Sequence, residues 1–213
     1  MTIDDTTLTN TETDLVTAQD PTKRILLLAC GAIAREVLDI IKTHGWSHID
    51  LKCLPAILHN TPEKITPAVR KAISAAQGDY DNIYVLYADC GTGGLLQQAC
   101  DDMGVEMLRG PHCYSFFQGN DNFAETDDVT AFYLTDFLAR QFDAFVWKPL
   151  GLDRFPDLRE MYFGNYTKLV YQSQTDDPAL VSLAQERADK LGLAFEHRPT
   201  GYGDLQNQLR DWI

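Results

Sequence analysis

Residues 24–45 read RILLLACGAIAREVLDIIKTHG. Ile25-Leu26-Leu27-Leu28-Ala29 is an unbroken apolar run, the pattern of a strand buried on both faces. Gly31 breaks it. Ile33, Val37, Leu38, Ile40 and Ile41 then recur at helical spacing until Gly45 stops the helix. A buried strand that feeds a helix through one tight turn is the opening of a βαβ unit.

Working outward, the alternation continues. A strand is expected over Ile49 to Ile57. Thr66-Pro67 opens a helix with Val69, Ala72, Ile73 and Ala76 on one face. Ile83 to Tyr87 reads as a strand and runs into a glycine-rich turn at Gly91 to Gly94. Leu95, Leu96, Ala99 and Met103 form the next helix face, and Val105 to Leu108 a short strand. A long helix fits Ala131 to Val146, a short one starts near Pro156, and Lys168 to Tyr171 looks like a strand. Asp177-Pro178 opens a helix closed by Gly192. Leu193 to Glu196 is the last strand, and a terminal helix covers Asp204 to Ile213. The expected fold is α/β: one mostly parallel sheet flanked by helices on both faces, in a single domain over 23–213. In such sheets ligands bind beyond the carboxyl ends of the strands.

Composition narrows the function classes. The chain has 213 residues, 45% of them apolar, enough for a packed core. Its formal charge is −13. Residues 1–22 hold five acids and no Lys or Arg, so they carry −5 and leave −8 for the remainder. They read as a disordered or loosely held acidic tail. No Lys/Arg cluster offers the basic patch that nucleic acid requires, and docking on an anionic membrane is disfavoured for the same reason. No apolar run reaches the ~20 residues of a membrane span, and the start lacks the features of a secretory signal. A cytoplasmic location is expected. Five cysteines there are reduced by default, and an odd count argues against a disulfide framework.

Three of those cysteines fall just past expected strand ends: Cys30 in Ala29-Cys30-Gly31, Cys90 in Asp89-Cys90-Gly91, and Cys113 in Gly110-Pro111-His112-Cys113. Thiolates are soft ligands that suit zinc or an iron–sulfur cluster. The alternative is that each is a small buried hydrophobe. Without a Cys-x-x-Cys pair the pattern departs from structural zinc modules and fits an open site better. Which metal it would be is not distinguishable. His112 is an alternative donor to Cys113. Cys53 and Cys100 read as packing residues. His59, after the second strand, is a candidate acid/base or ligand, or a plain turn residue. Gly91, Thr92, Gly93 and Gly94 form a loop at a helix start whose N–H groups can cradle a small anion. The loop is similar to that of S-adenosylmethionine-dependent methyltransferases, yet it follows the third strand instead of the first, and Asp89 replaces the leading glycine. Tyr202, in Thr200-Gly201-Tyr202-Gly203-Asp204, is a candidate catalytic residue or a turn residue. The aromatic segment 153–166 suits a lid or a dimer face.

ACG at 29–31, LPAILHN at 54–60, DCGTGGLL at 89–96, GPHCY at 110–114, YLTDF at 133–137, GLDRFPDLREMYFGNY at 151–166 and TGYGDL at 200–205 resemble the domain of unknown function 1638 family. Cys30, His59, Cys90, Cys113 and Tyr202 lie on its motifs. The resemblance implies an association with corrinoid-dependent methyltransferases, and hence a role in one-carbon or methyl-transfer metabolism as an enzyme or accessory protein. Two alternatives stand beside it. One is a metal-free module binding a small anion. The other is a partner protein of a methyltransferase complex. Whether the chain forms a homo-oligomer is left open by the sequence.

Overall fold

A computed structural model describes residues 4–19 and 24–213. The chain gathers into two compact units, Met1–Cys113 with Gln208–Ile213 and Tyr114–Asn207. The first holds, in chain order, α1 (Asp5–Asn10), β1 (Thr13–Val16), β2 (Ile25–Cys30), α2 (Ala34–His44), β3 (Ile49–Leu54), α3 (Ile65–Ala76), β4 (Asn82–Leu86), α4 (Leu95–Met103) and β5 (Glu106–Met107). There follow α5 (Cys113–Gln118), α6 (Asn120–Ala124), β6 (Ala131–Leu134), α7 (Asp136–Arg140), a π-turn over Asp143–Trp147, α8 (Leu158–Phe163), β7 (Lys168–Ser173), α9 (Pro178–Leu191), β8 (Ala194–Pro199) and α10 (Gly203–Trp212).

The protein is α/β, but the single mostly parallel sheet expected from the alternation is corrected to two sheets. The first has the order β1-β3-β2-β4-β5 and is mixed, because β1 runs antiparallel to β3 while the other pairings are parallel. The second, β6-β7-β8, is wholly parallel. Alternating strands and helices look the same whether they feed one sheet or two. All six residues of β2 are buried, as the apolar run requires of a strand paired on both sides. From β2 the chain moves to β3 on one side, then returns to lay β4 on the other. The chain order therefore reverses at β2, and the crevice between the carboxyl ends of β2 and β4 is where such sheets bind ligands.

Residues 4–19, which composition assigns to a loosely held tail, carry α1 and β1. Asp4 caps α1 by accepting the N–H groups of Thr6 at 3.1 Å and Thr7 at 3.2 Å. Leu8 is buried, and α1 packs on the turns that follow β2 and β3. The acids that give the segment its solvated look have partners: Asp5 with Arg35 at 2.9 Å, and Glu12 and Asp14 with Lys52 at 3.2 and 3.6 Å.

The long helix expected over 131–146 is also corrected. Residues 131–134 pair with β7 as a parallel strand. Helix begins only at Asp136, where the Thr135 hydroxyl accepts the Leu138 N–H at 3.3 Å. Leu134, Phe142, Leu169, Tyr171, Ala184 and Ala188 anchor the core of this unit. Among the described residues no helix is long and apolar enough to cross a membrane.

One ion cluster on the second sheet gives a pH dependence. Asp128 meets Lys168 at 2.7 Å, Arg198 at 2.8 Å and the Tyr133 hydroxyl at 2.9 Å. Burial would raise its pKa, but these partners outweigh burial and hold it down to about 2. A depressed carboxyl stabilises the fold above its unfolded value, and that stabilisation is lost as pH falls through the folded value. About 2 kcal/mol should therefore disappear between about pH 4 and pH 2. Urea titrations across that range should show Asp128→Asn with a flatter acid limb than wild type. Parallel limbs would remove Asp128 as the cause.

Candidate functional site

Three loops meet at the carboxyl edge of the first sheet. β2 ends in Cys30, which is 4% exposed. Its Sγ accepts the Ala32 N–H at 3.3 Å, fixing the side chain at the head of the following turn. β3 runs into a 3-10 turn, Ala56–Asn60, that carries the half-buried His59. His59 Nδ1 lies 3.1 Å from the Ala56 carbonyl and 3.7 Å from Cys30 Sγ. β4 leads through Tyr87, Ala88 and Asp89 to the half-buried Cys90, whose influence raises the pKa of the same imidazole. His59 thus lies against the Cys30 thiol, with Cys90 near enough to shift its pKa.

Cys90 adopts φ +50°, the one positive φ among the described non-glycine residues. A side chain in the left-handed region costs of order 1 kcal/mol or more and persists only where its surroundings enforce it. The enforcement is visible on both sides. The Asp89 and Cys90 N–H groups donate to the Gly110 and Pro111 carbonyls at 3.1 and 3.0 Å. Beyond Cys90, the Gly93 and Gly94 N–H groups donate to the Asp89 carboxylate at 3.2 and 2.6 Å, and the Thr92 hydroxyl donates to it at 3.0 Å. These bonds outweigh burial and lower the Asp89 pKa.

That geometry alters the expectation for Gly91, Thr92, Gly93 and Gly94. The loop is an anion cradle, but its occupant is the chain's own Asp89. The loop holds Cys90 in place and has fewer N–H groups to offer a ligand. Asp89, the residue that departs from a methyltransferase loop, is the one that organises the turn. An Asp just ahead of a Gly-x-Gly-Gly run is the signal in the sequence.

Tyr87 carries no sequence signal beyond its strand. Its ring stacks with His59 at a centroid distance of 6.0 Å, and its buried hydroxyl makes no hydrogen bond of ordinary geometry. Burial and the neighbouring Cys30 and Cys90 push its pKa well up. Burial likewise raises the Cys30 thiol to about 12, with Glu36 adding to the shift. For His59, burial disfavours the charged ring, yet Cys90 and the Ala56 carbonyl prevail and its pKa is raised. The edge therefore combines a neutral buried thiol, a readily protonated imidazole and a half-buried thiol.

The three-cysteine metal centre is not assembled. Among the described residues no group of three or more His, Cys, Asp or Glu side chains is disposed to hold a metal ion. Cys113 begins α5, next to the Pro111 that anchors Cys90, but it joins no such group. His112 is half-buried, and that burial lowers its pKa. Cys53 and Cys100 are buried, as expected of packing residues. Tyr202 belongs to the second unit, where its carbonyl accepts the Leu205 N–H at 3.1 Å.

No curated protein matches the chain. The family described as Protein of unknown function (DUF1638) matches residues 53–209. That span includes His59, Cys90, Cys113 and Tyr202, and it starts after β2 and Cys30. It covers well over half of the 213 residues, and the chain is a member of the DUF1638 family.

Proposed function

We propose that the first unit performs thiol chemistry on a small molecule, with Cys90 as the nucleophile and His59 as its acid/base partner. The observation that carries this is Cys90 itself. It is a half-buried cysteine held at φ +50° on a strand-to-helix turn, near enough to His59 to raise the pKa of its imidazole, at the point where the strand order reverses. Strained backbone that its surroundings over-determine concentrates at working sites. A thiol is nucleophilic as the thiolate, and a neighbouring imidazole accepts its proton and stabilises the charge. The one-carbon setting that the family resemblance implies makes a methyl donor the electrophile of choice, with Cys90 taking the methyl group as a thioether.

The test is labelling of the full chain by iodoacetamide, followed by peptide mass spectrometry across pH 5 to 10. Cys90 should label at least a hundredfold faster than Cys53 and Cys100, which are buried. His59→Gln should slow Cys90 about tenfold near neutral pH and move the midpoint of its rate profile upward. Labelling of Cys90 at the rate of an ordinary exposed thiol, unchanged in His59→Gln, would end the proposal. Metal analysis of the same anaerobic preparation decides between this and the zinc or iron–sulfur reading with Cys30, Cys90 and Cys113. Stoichiometric metal, lost in Cys113→Ser, would replace the nucleophile by a metal centre.

A further inference from the structure

α8 and the turns on either side of it form an exposed ridge on the second unit. Thirteen of the fifteen residues 153–167 are exposed. The other two, Leu158 and Phe163, pack on the core. Six large apolar side chains are exposed among the described residues. Four of them, Phe155, Met161, Tyr162 and Tyr166, fall within this stretch. Met161 is 64% exposed and Phe155 58%. Apolar side chains scattered singly over a surface are ordinary, but a concentration of them in one segment marks a contact surface. The Tyr166 ring is held by Phe132 and Phe163, each at a centroid distance of 5.8 Å, so part of this surface is ordered before anything docks.

The charges of the same stretch say what covers it. Asp153, Arg154, Asp157, Arg159 and Glu160 alternate in sign, three acids and two arginines, for a sum of −1 in a chain of −13. Among the described residues the only ion pair in the stretch joins Arg154 to Asp153 at 3.9 Å. Arg159 lines a recess of about 140 Å³ beside Tyr166 and Leu193, room for one side chain. A partner with one sign of charge would meet repulsion from part of this pattern, and a wholly apolar partner would strand it. A second copy turned about a two-fold axis brings acids to arginines in both directions, while the apolar side chains of the two copies cover one another.

We infer that this ridge is an isologous interface, seated on a second copy of the chain. At thirteen exposed residues a side it is smaller than the ~20–30 of a standard interface, so association should be in the micromolar range. The apolar side chains supply the contact area, and the alternating charges set the orientation and exclude other partners.

Sedimentation equilibrium of the full chain over about 1–200 µM tests this. The mass should rise from the 24.0 kDa of one chain towards twice that value. Met161→Glu should weaken association about tenfold or more, with an unchanged circular dichroism spectrum. Two further variants read the charges. Arg154→Glu/Arg159→Glu makes the ridge wholly acidic, and Asp157→Arg/Glu160→Arg makes it predominantly basic. Each alone should associate about tenfold more weakly than wild type. An equimolar mixture of the two should recover the wild-type affinity, which a fold damaged by the substitutions could not do. A wild-type chain that stays monomeric across the range overturns the interface. A dimer unaffected by Met161→Glu uses another face and overturns it too. A mixture no tighter than its components overturns the two-fold charge pairing, and with it the second copy as occupant.

Discussion

Gly203→Ala is expected to destabilise the second unit by about 3–4 kcal/mol, lowering its melting temperature by roughly 10 °C or more. A Cβ on residue 203 would sit 2.2 Å from the Phe117 carbonyl oxygen and 2.4 Å from that of Phe116. Both are backbone atoms of α5 and have no rotamer to escape into. Residue 203 also has φ +47°, where an L side chain is strained. Two penalties therefore add at one position. Gly201, two residues earlier, separates them, because it has φ +58° and nothing within 4 Å of the point a Cβ would occupy. Gly201→Ala should cost only the conformational part, about 1 kcal/mol. Calorimetry on the two variants checks the difference, and equal melting temperatures would mean that the close approach to α5 carries no energy. The TGYGDL stretch thus has a packing reason for its second glycine, independent of any role for Tyr202.

Asp136→Ala should be at least as damaging, at about 4 kcal/mol. Asp136 is 1% exposed, and its carboxylate gathers four donors. One oxygen accepts the Tyr171 hydroxyl at 2.6 Å and the Gln174 N–H at 3.1 Å. The other accepts the Thr175 N–H at 3.1 Å and the Thr175 hydroxyl at 2.6 Å. Truncation strands buried donors at the carboxyl end of β7, and each stranded group costs about 1–3 kcal/mol. Burial and the bond to Asp136 raise the Tyr171 hydroxyl pKa, so it remains a donor at any working pH. Asp136→Asn keeps one oxygen for Tyr171 and Gln174 but turns an amide NH2 toward the Thr175 N–H. It should recover about half of the loss. Urea midpoints of the three proteins give the comparison, and an alanine variant within about 1 kcal/mol of wild type would mean that water replaces the carboxylate.

How much of this is legible in sequence depends on which interactions are local. β2 and its turn are readable because a run such as ILLLA has one economical burial. The same run places Cys30, and the strand-end rule then brings His59 and Cys90 to the same edge. Cys113 follows the rule less well, since it opens a helix after Gly110-Pro111. Tyr87 is invisible because its place beneath His59 depends on how β3 and β4 are each registered on β2 between them. Asp89 passes for a lost glycine, since its value lies in bonds to residues four and five positions ahead. Residues 131–134 fail for a different reason. AFYL is apolar throughout and too short to show a period, so the helical spacing that follows captures it. The division into two sheets leaves no mark in the pattern at all.

β1 has one more consequence, and it concerns association between molecules. A parallel strand at the margin of a sheet exposes a row of amide and carbonyl groups that invites pairing with another chain. β3 would be such a margin, with a largely buried, apolar side-chain pattern. The N-terminal segment covers it with a strand of four residues whose register shifts between Asp14 and Val16. A short, irregular, acidic strand makes a poor template for the next copy. The acidity that makes this segment look expendable therefore suits it to its position, as a guard against open-ended stacking of the sheet.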